Sequence, residues 1–445
     1  MRAVSLTAVG VFTVFAIAMS SSARGGLVVR SSEAAGRRPA RVISTAGADV
    51  LPHLVVAPDG RGFVALSGPH ADVVGARIAA DGAIGRPQLV APAAEDPRRV
   101  GLGISSRGTV SAAYTSGSGR RSRVLFREGA PGRAFGSPLH ISPAGVTATL
   151  VTFRETPDGF GVALLCLGNQ RRCTYAFYAH ARGGRFRNVT DLPTGATHAA
   201  IGVAPDHGVI AVWEARRRDG SHYVQGMDWR GGRRPTAPYT VAGHIHPGWY
   251  WAPQVGIVAG GGAVVVWGVP LPGGRGAVEA TDRGSVWTRF SVATTLTNEG
   301  GGHDTGEFRL STQAGVVLLS TSEAARRGRY RAVLRTWTAA YGFGRRQIVS
   351  PASRDAFDPF AAAGGGRTVL AWDGGRDGDS IEAATAPFGG SFGAPAALSD
   401  PRLIVQSGSG PFLSVDRRGV ALAVWIDYGG PADSPGQLEL ARLVR

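Results

Sequence analysis

Pro205-Asp206-His207-Gly208-Val209-Ile210-Ala211-Val212-Trp213 is a polar turn that runs into an apolar strand and stops at tryptophan. The same order of an apolar approach, a glycine-bearing turn and a second apolar run recurs along the chain. The turn glycines are Gly62, Gly108, Gly161, Gly208, Gly262, Gly315, Gly366 and Gly419, spaced 46 to 54 residues apart. Self-similarity at that period is the mark of a repeat array in which each unit packs on its neighbours.

Each repeat reads as four strands. The first is apolar and often enters through proline, as in Pro52-His53-Leu54-Val55-Val56 and Pro253-Gln254-Val255-Gly256-Ile257. Proline is tolerated there because a strand's first residue need not donate to the ladder. The turn that follows, as in Pro58-Asp59-Gly60-Arg61-Gly62, uses glycine for the positive φ of a tight hairpin. The second strand is the most apolar: Val209 to Trp213, Ala263 to Trp267, Val369 to Trp372 and Val420 to Trp425. Near-continuous hydrophobicity predicts burial on both faces, with the tryptophans packed between units. A third strand follows, for example Tyr223 to Met227, and a recurring phrase marks the fourth: Phe135-Gly136…Ser142, Phe343-Gly344…Ser350 and Phe392-Gly393…Ser399.

The chain ends decide between an open array and a closed one. The eighth repeat has a third strand, Gln437 to Val444, but no fourth. The missing phrase stands at the other end, as Arg38-Pro39-Ala40-Arg41-Val42-Ile43-Ser44. One blade completed by both termini draws the array into a ring without free inner edges. The reading is an all-β, eight-bladed β-propeller of four-stranded antiparallel blades; seven blades is the alternative, with the third (Leu150 to Asp191) and sixth (Phe308 to Ser350) repeats the least regular. Residues 38–445 form the single propeller domain.

The Asp-x-x-Gly turn followed by tryptophan resembles repeat proteins exported by actinobacteria. At the level of fold it is also similar to kelch and sialidase-type propellers. The likeness spans nearly the whole mature chain and implies a propeller, but it carries no activity. The sialidase Asp-box is not reproduced: Ser414-Val415-Asp416 begins like one, and its glycine comes one position late.

Residues 1–23 read as a secretory signal, with Arg2, an apolar stretch from Leu6 to Met19 and a small-x-small site at Ser21-Ser22-Ala23. An uncleaved anchor is the alternative, although the stretch falls short of the ~20 residues that span a bilayer. A flexible segment, 24–37, follows. No later segment looks membrane-spanning, so the mature protein is expected outside the cell or on its envelope, as a monomer. Cys166 and Cys173 flank a hairpin loop and are expected to pair in that compartment.

The formal charge is +16, and the chain has no lysine, so its basic residues are arginines scattered over turns. No recognition motif accompanies them, which argues against nucleic acid. Attraction to an anionic envelope polymer or lipid surface is the functional alternative to simple solvated turns.

Loops entering each first strand share one rim with loops joining strands two and three, and rigid scaffolds carry their sites on such loops. This rim holds His53, His198, His246, Trp249, Tyr250, Trp251, His303, Asp304, Asp355 and Asp358, with Glu95 and Asp96 at the matching place before blade 2. Histidines, carboxylates and aromatics meeting at a channel mouth suit a carbohydrate or small ligand. His244 and His246 could join His303 or Asp304 on a transition metal. Asp373, Asp377 and Asp379 form the best calcium-like stretch, without the trailing glutamate of an EF-hand; no other cofactor is implied. Three functions fit: a non-catalytic propeller binding a glycan, small molecule or protein at the rim; a glycoside hydrolase or lyase using Asp304, Asp355 or Asp358; and a structural module of the cell surface.

Overall fold

A strand apolar on both faces cannot be buried by its own sheet, so each blade needs a neighbour on either side. The computed structural model describes residues 43–44, 51–67, 72–169, 172–245, 252–271, 275–297, 308–313, 315–325, 329–375, 380–399, 410–427 and 437–443. The expected signal peptide and the 24–37 segment lie outside the described residues. The strands form eight separate antiparallel sheets, seven of them built outward in chain order from an inner strand and the eighth ending on the N-terminal strand. The inner strands are Leu51–Val56, Pro97–Ile104, Ala148–Glu155, Thr197–Val203, Gln254–Ile257, Phe308–Gln313, Asp355–Gly364 and Phe412–Val415. Each contacts the inner strands of the two flanking blades, the last one meeting the first. The chain is an eight-bladed β-propeller.

Blade 8 is finished by the N-terminal strand, with Ile43 opposite Leu438 and Ser44 opposite Gln437. The seven-blade alternative falls. Blade 6 is nonetheless irregular: its outer edge is broken into Gly342–Phe343 and Gln347–Ile348, both pairing with Tyr330–Thr338.

The core divides into eight apolar clusters, and each joins two adjacent blades. The cluster between blades 8 and 1 packs Leu422, Val424, Leu438 and Leu440 on Val64, Leu66, Ala76 and Ile78. Trp213, Trp267, Trp337, Trp372 and Trp425 are fully or almost fully buried. Four of them face a glutamine or glutamate across the sheet: Trp213 and Gln225, Trp267 and Glu279, Trp372 and Glu382, Trp425 and Glu439. Trp213 and Trp267 donate their indole N–H to that partner at 3.1 Å. In blade 6 the tryptophan has moved to the third strand and donates to Asp282 of blade 5 at 2.6 Å.

The recurring phrases have local causes. The glycine of each Phe-Gly pair donates to a third-strand carbonyl: Gly136 to Glu128, Gly344 to Thr336, Gly393 to Thr385. The closing serine accepts a third-strand N–H: Ser142 from Val124, Ser350 from Ala332, Ser399 from Ile381. In the Asp-x-x-Gly turns, Asp416 accepts from the Arg418 and Val420 amides at 2.8 Å. Asp206 accepts from Gly260 of the next blade at 3.0 Å.

Four of the eight turn glycines are left-handed themselves, and at the other four the left-handed residue comes one or two places earlier. Gly108, Gly315, Gly366 and Gly419 have the expected positive φ. At Gly62 and Gly161 the left-handed residue comes two places earlier, at Gly60 and Gly159. A side chain at Gly161 would collide with the His180 ring, so close approach selects glycine there.

Cys166 and Cys173 are disulfide-bonded, with Cα atoms 5.3 Å apart. Closing so short a loop contributes about 2–3 kcal/mol in the chain-entropy account.

Replacing fully buried Trp425 with alanine is expected to cost about 3–5 kcal/mol. Trp287→Ala, at a side chain 88% exposed, should change stability by no more than about 0.5 kcal/mol. Denaturant unfolding of the two variants checks the contrast.

Candidate functional site

The first residues of the inner strands surround the axis at the rim that the inter-blade loops share. Three of these strands bulge at one matched position. The register slips by a residue between Arg98 and Gly101, between Thr197 and Ala200, and between Phe357 and Phe360. In each case the residue just before the slip pairs with the one following a buried aromatic: Thr115 after Tyr114, Glu214 after Trp213, Asp373 after Trp372. The residue entering the bulge is left-handed and is not glycine: Arg99 (φ 50°), His198 (φ 48°) and Asp358 (φ 46°). Left-handed polar residues are costly and gather where a side chain must be re-aimed.

At blades 6 to 8, the Asp358 carboxylate is buried and its Oδ1 lies 3.9 Å from Arg309 Nη2. The Arg309 guanidinium lies 5.7 Å from the Phe360 ring centre and 5.4 Å from that of Phe412, a cation–π arrangement on two half-buried rings. Gly410 closes this group: a Cβ there would stand 2.8 Å from Asp358 Cβ.

At blade 4, Glu214 is held between two histidines. His198 Nδ1 is 2.6 Å from Glu214 Oε2, and His222 Nδ1 bonds Oε1. The His198 bond holds the Glu214 carboxyl below its ordinary value, and the same bond raises His198.

At blades 1 to 3, burial pushes His53 down to about 4, so its ring is neutral at pH 7. Arg98 pairs with Asp96 at 3.1 Å. Arg99 is exposed. Arg154, on the inner strand of blade 3, is also exposed, yet desolvation by surrounding protein lowers its guanidinium pKa. Arg154 stands one residue before the end of its strand, where Glu155 pairs with Gly161. Its neighbour Glu155 is pushed by burial up to about 7, so that carboxyl is about half ionised at pH 7.

Of the residues expected from sequence, His53, His198 and Asp358 stand on inner strands of three different blades. Asp355 accepts the Tyr330 N–H at 2.7 Å and ties blade 7 to blade 6. Glu95 is taken up by Tyr114 and Arg127. Asp373 is buried on the second strand of blade 7. His246, Trp249, Tyr250, Trp251, His303, Asp304, Asp377 and Asp379 lie outside the described residues. Among the described residues, no three His, Cys, Asp or Glu side chains are grouped to hold a metal. Sequence reasoning passed over Arg99, Arg154, Arg309, Glu214 and His222. A charged residue inside an otherwise apolar first strand was the available signal for the arginines.

No known protein-family profile matches the chain, and no curated protein matches it by sequence. Among solved structures it is similar to a lectin from Burkholderia pseudomallei, at 11% identity and a TM-score of 0.48 over 79% of this chain and 99% of that one. It is likewise similar to an ulvan lyase, at 12% identity and 0.46 over 80% and 97%. A prolyl oligopeptidase from Galerina marginata gives 11% and 0.47 over 77% and 51%. Likeness at this distance concerns fold alone.

The Glu214 clasp has a defined pH window. His198 is raised above its ordinary 6.5, so its contribution is full below pH 6.5 and fades as pH rises through the folded value. Glu214 is lowered from 4.5, so its contribution is present above that pH and fades on acidification through the folded value. An NMR titration of the His198 ring is expected to give a pKa above 6.5, and Glu214→Gln to return it to or below that value.

Proposed function

We propose that this protein is exported and binds, without converting it, an acid-bearing glycan or small molecule at its axial channel. The observation that carries this reading is the pair Arg99 and Arg154 on the inner strands of adjacent blades. Both are exposed, and neither has a carboxylate partner among the described residues. Uncompensated cations inside a protein-walled channel focus field and concentrate anions. Arginine also offers a bidentate fork to a carboxylate, sulfate or phosphate.

Binding is favoured over hydrolysis or elimination by what the described rim carboxylates already do. Asp358 is buried beside Arg309, Asp355 caps the Tyr330 amide, Glu95 bonds Tyr114 and Arg127, and Glu214 bridges two histidines. The disulfide and the signal-like N-terminus support export.

Calorimetry with an acidic oligosaccharide, such as an oligogalacturonate, and its neutral counterpart tests this. The acidic ligand is expected to bind preferentially and more weakly as salt rises. Arg154→Ala and Arg99→Ala should each weaken binding by about tenfold, as loss of one charge-assisted hydrogen bond implies. Equal affinity for the neutral sugar, or turnover of the acidic one, would overthrow the proposal.

A further inference from the structure

The rim opposite the mouth carries an unusual face. There the third strand of each blade turns into the fourth, and in blades 5, 6 and 7 these turns present large apolar side chains to water. Trp287 is 88% exposed, Val292 87%, Tyr341 90% and Phe388 44%. The corresponding turns of blades 1 to 4, at 79–83, 130–138, 181–186 and 231–238, expose no large apolar residue.

These side chains do not ride on loose loops. Val286 donates its N–H to Gly260 at 3.2 Å, Tyr341 to Thr338 at 3.3 Å and Phe388 to Gly366 at 2.8 Å. The turns of blades 5 and 6 also touch, since a Cβ at Gly284 would lie 3.0 Å from the Ala339 carbonyl. The fold therefore holds tryptophan, tyrosine and phenylalanine in solvent at the same turn of three consecutive blades.

Charge names the partner. Residues 284–297, 339–348 and 387–397 contain no aspartate or glutamate. They bring exposed Arg289 and Arg345, while Arg346 is occupied by Glu323 at 2.7 Å. Asp282, which borders the blade 5 turn, is taken up by Ser291 and Trp337. Aromatic rings with an apolar body beside arginines suit the headgroup layer of a bilayer rich in anionic lipid.

We propose that the outer turns of blades 5 to 7 dock the propeller on an anionic lipid surface, Trp287, Tyr341 and Phe388 entering the headgroup layer and Arg289 and Arg345 meeting the lipid charge. Docked this way, the mouth on the opposite rim faces away from the membrane. This inference stands on different residues from the channel and does not depend on it.

The test is flotation of the purified protein with vesicles of phosphatidylglycerol and phosphatidylcholine in equal parts, against phosphatidylcholine alone. The protein is expected to float with the anionic vesicles and to partition at least about tenfold less onto neutral ones. Trp287→Ala with Tyr341→Ala should cut that partition by about tenfold, and Arg289→Glu with Arg345→Glu should abolish the lipid preference. All four positions are exposed, so the variants keep the wild-type melting temperature, and Arg154→Ala floats like wild type. Failure to float, undiminished flotation of both double variants, or capture by an acidic polysaccharide through Trp287 and Tyr341 in place of vesicles would overturn it.

Discussion

The structure depends on one constraint: no blade can cover its own second strand. Val110–Ser116 is buried at every residue, and its equivalents carry valines, leucines and tryptophans on both faces. Each blade must therefore be sandwiched, and a linear array would leave two apolar faces in water. A ring leaves none. Lending Ile43–Ser44 to the last blade places the seam within a sheet, where ladder hydrogen bonds, in addition to side-chain packing, hold the circle closed. The apolar cluster between blades 8 and 1 then matches the other seven in kind.

Such a frame can hold unfavourable local geometry. Three inner strands keep a non-glycine residue in left-handed backbone, each costing on the order of 1–3 kcal/mol. The strain sits where the inner strand faces a buried Tyr or Trp and its successor, so packing between blades holds it in place. Arg99, His198 and Asp358 are thereby presented near the mouth instead of being aligned with the ladder. The sites argued above therefore depend on closure.

Architecture was legible because its causes repeat. Tryptophan at the end of an apolar strand, Asp-x-x-Gly at the turn and Phe-Gly…Ser at the edge each mark one hydrogen bond or one packing position, used blade after blade. Blade 6 shows the limit, since its tryptophan sits on the third strand and its edge strand is broken, yet the period alone identified it. The site was less legible, because its residues do not repeat. His198 and Asp358 could be located from their place before a first strand, but their bulges depend on cross-strand register. Glu214 and His222 belong to other strands of blade 4 and join His198 only through folding. Arg154 reads in sequence as an ordinary strand residue; only the ring puts its strand on the inner side of a blade. Asp355 and Glu95 had the right position and chemistry, and packing between strands claimed them for structure.

The most direct test of the closed ring is a cross-link across its seam. Ile43→Cys with Leu438→Cys places two thiols on a directly opposed pair, within the Cα separation that a disulfide accepts. Closure predicts that the native protein oxidises to this disulfide almost completely, that unfolded protein does not, and that the bond raises the melting temperature. A protein that stays folded while the two cysteines remain apart would contradict it.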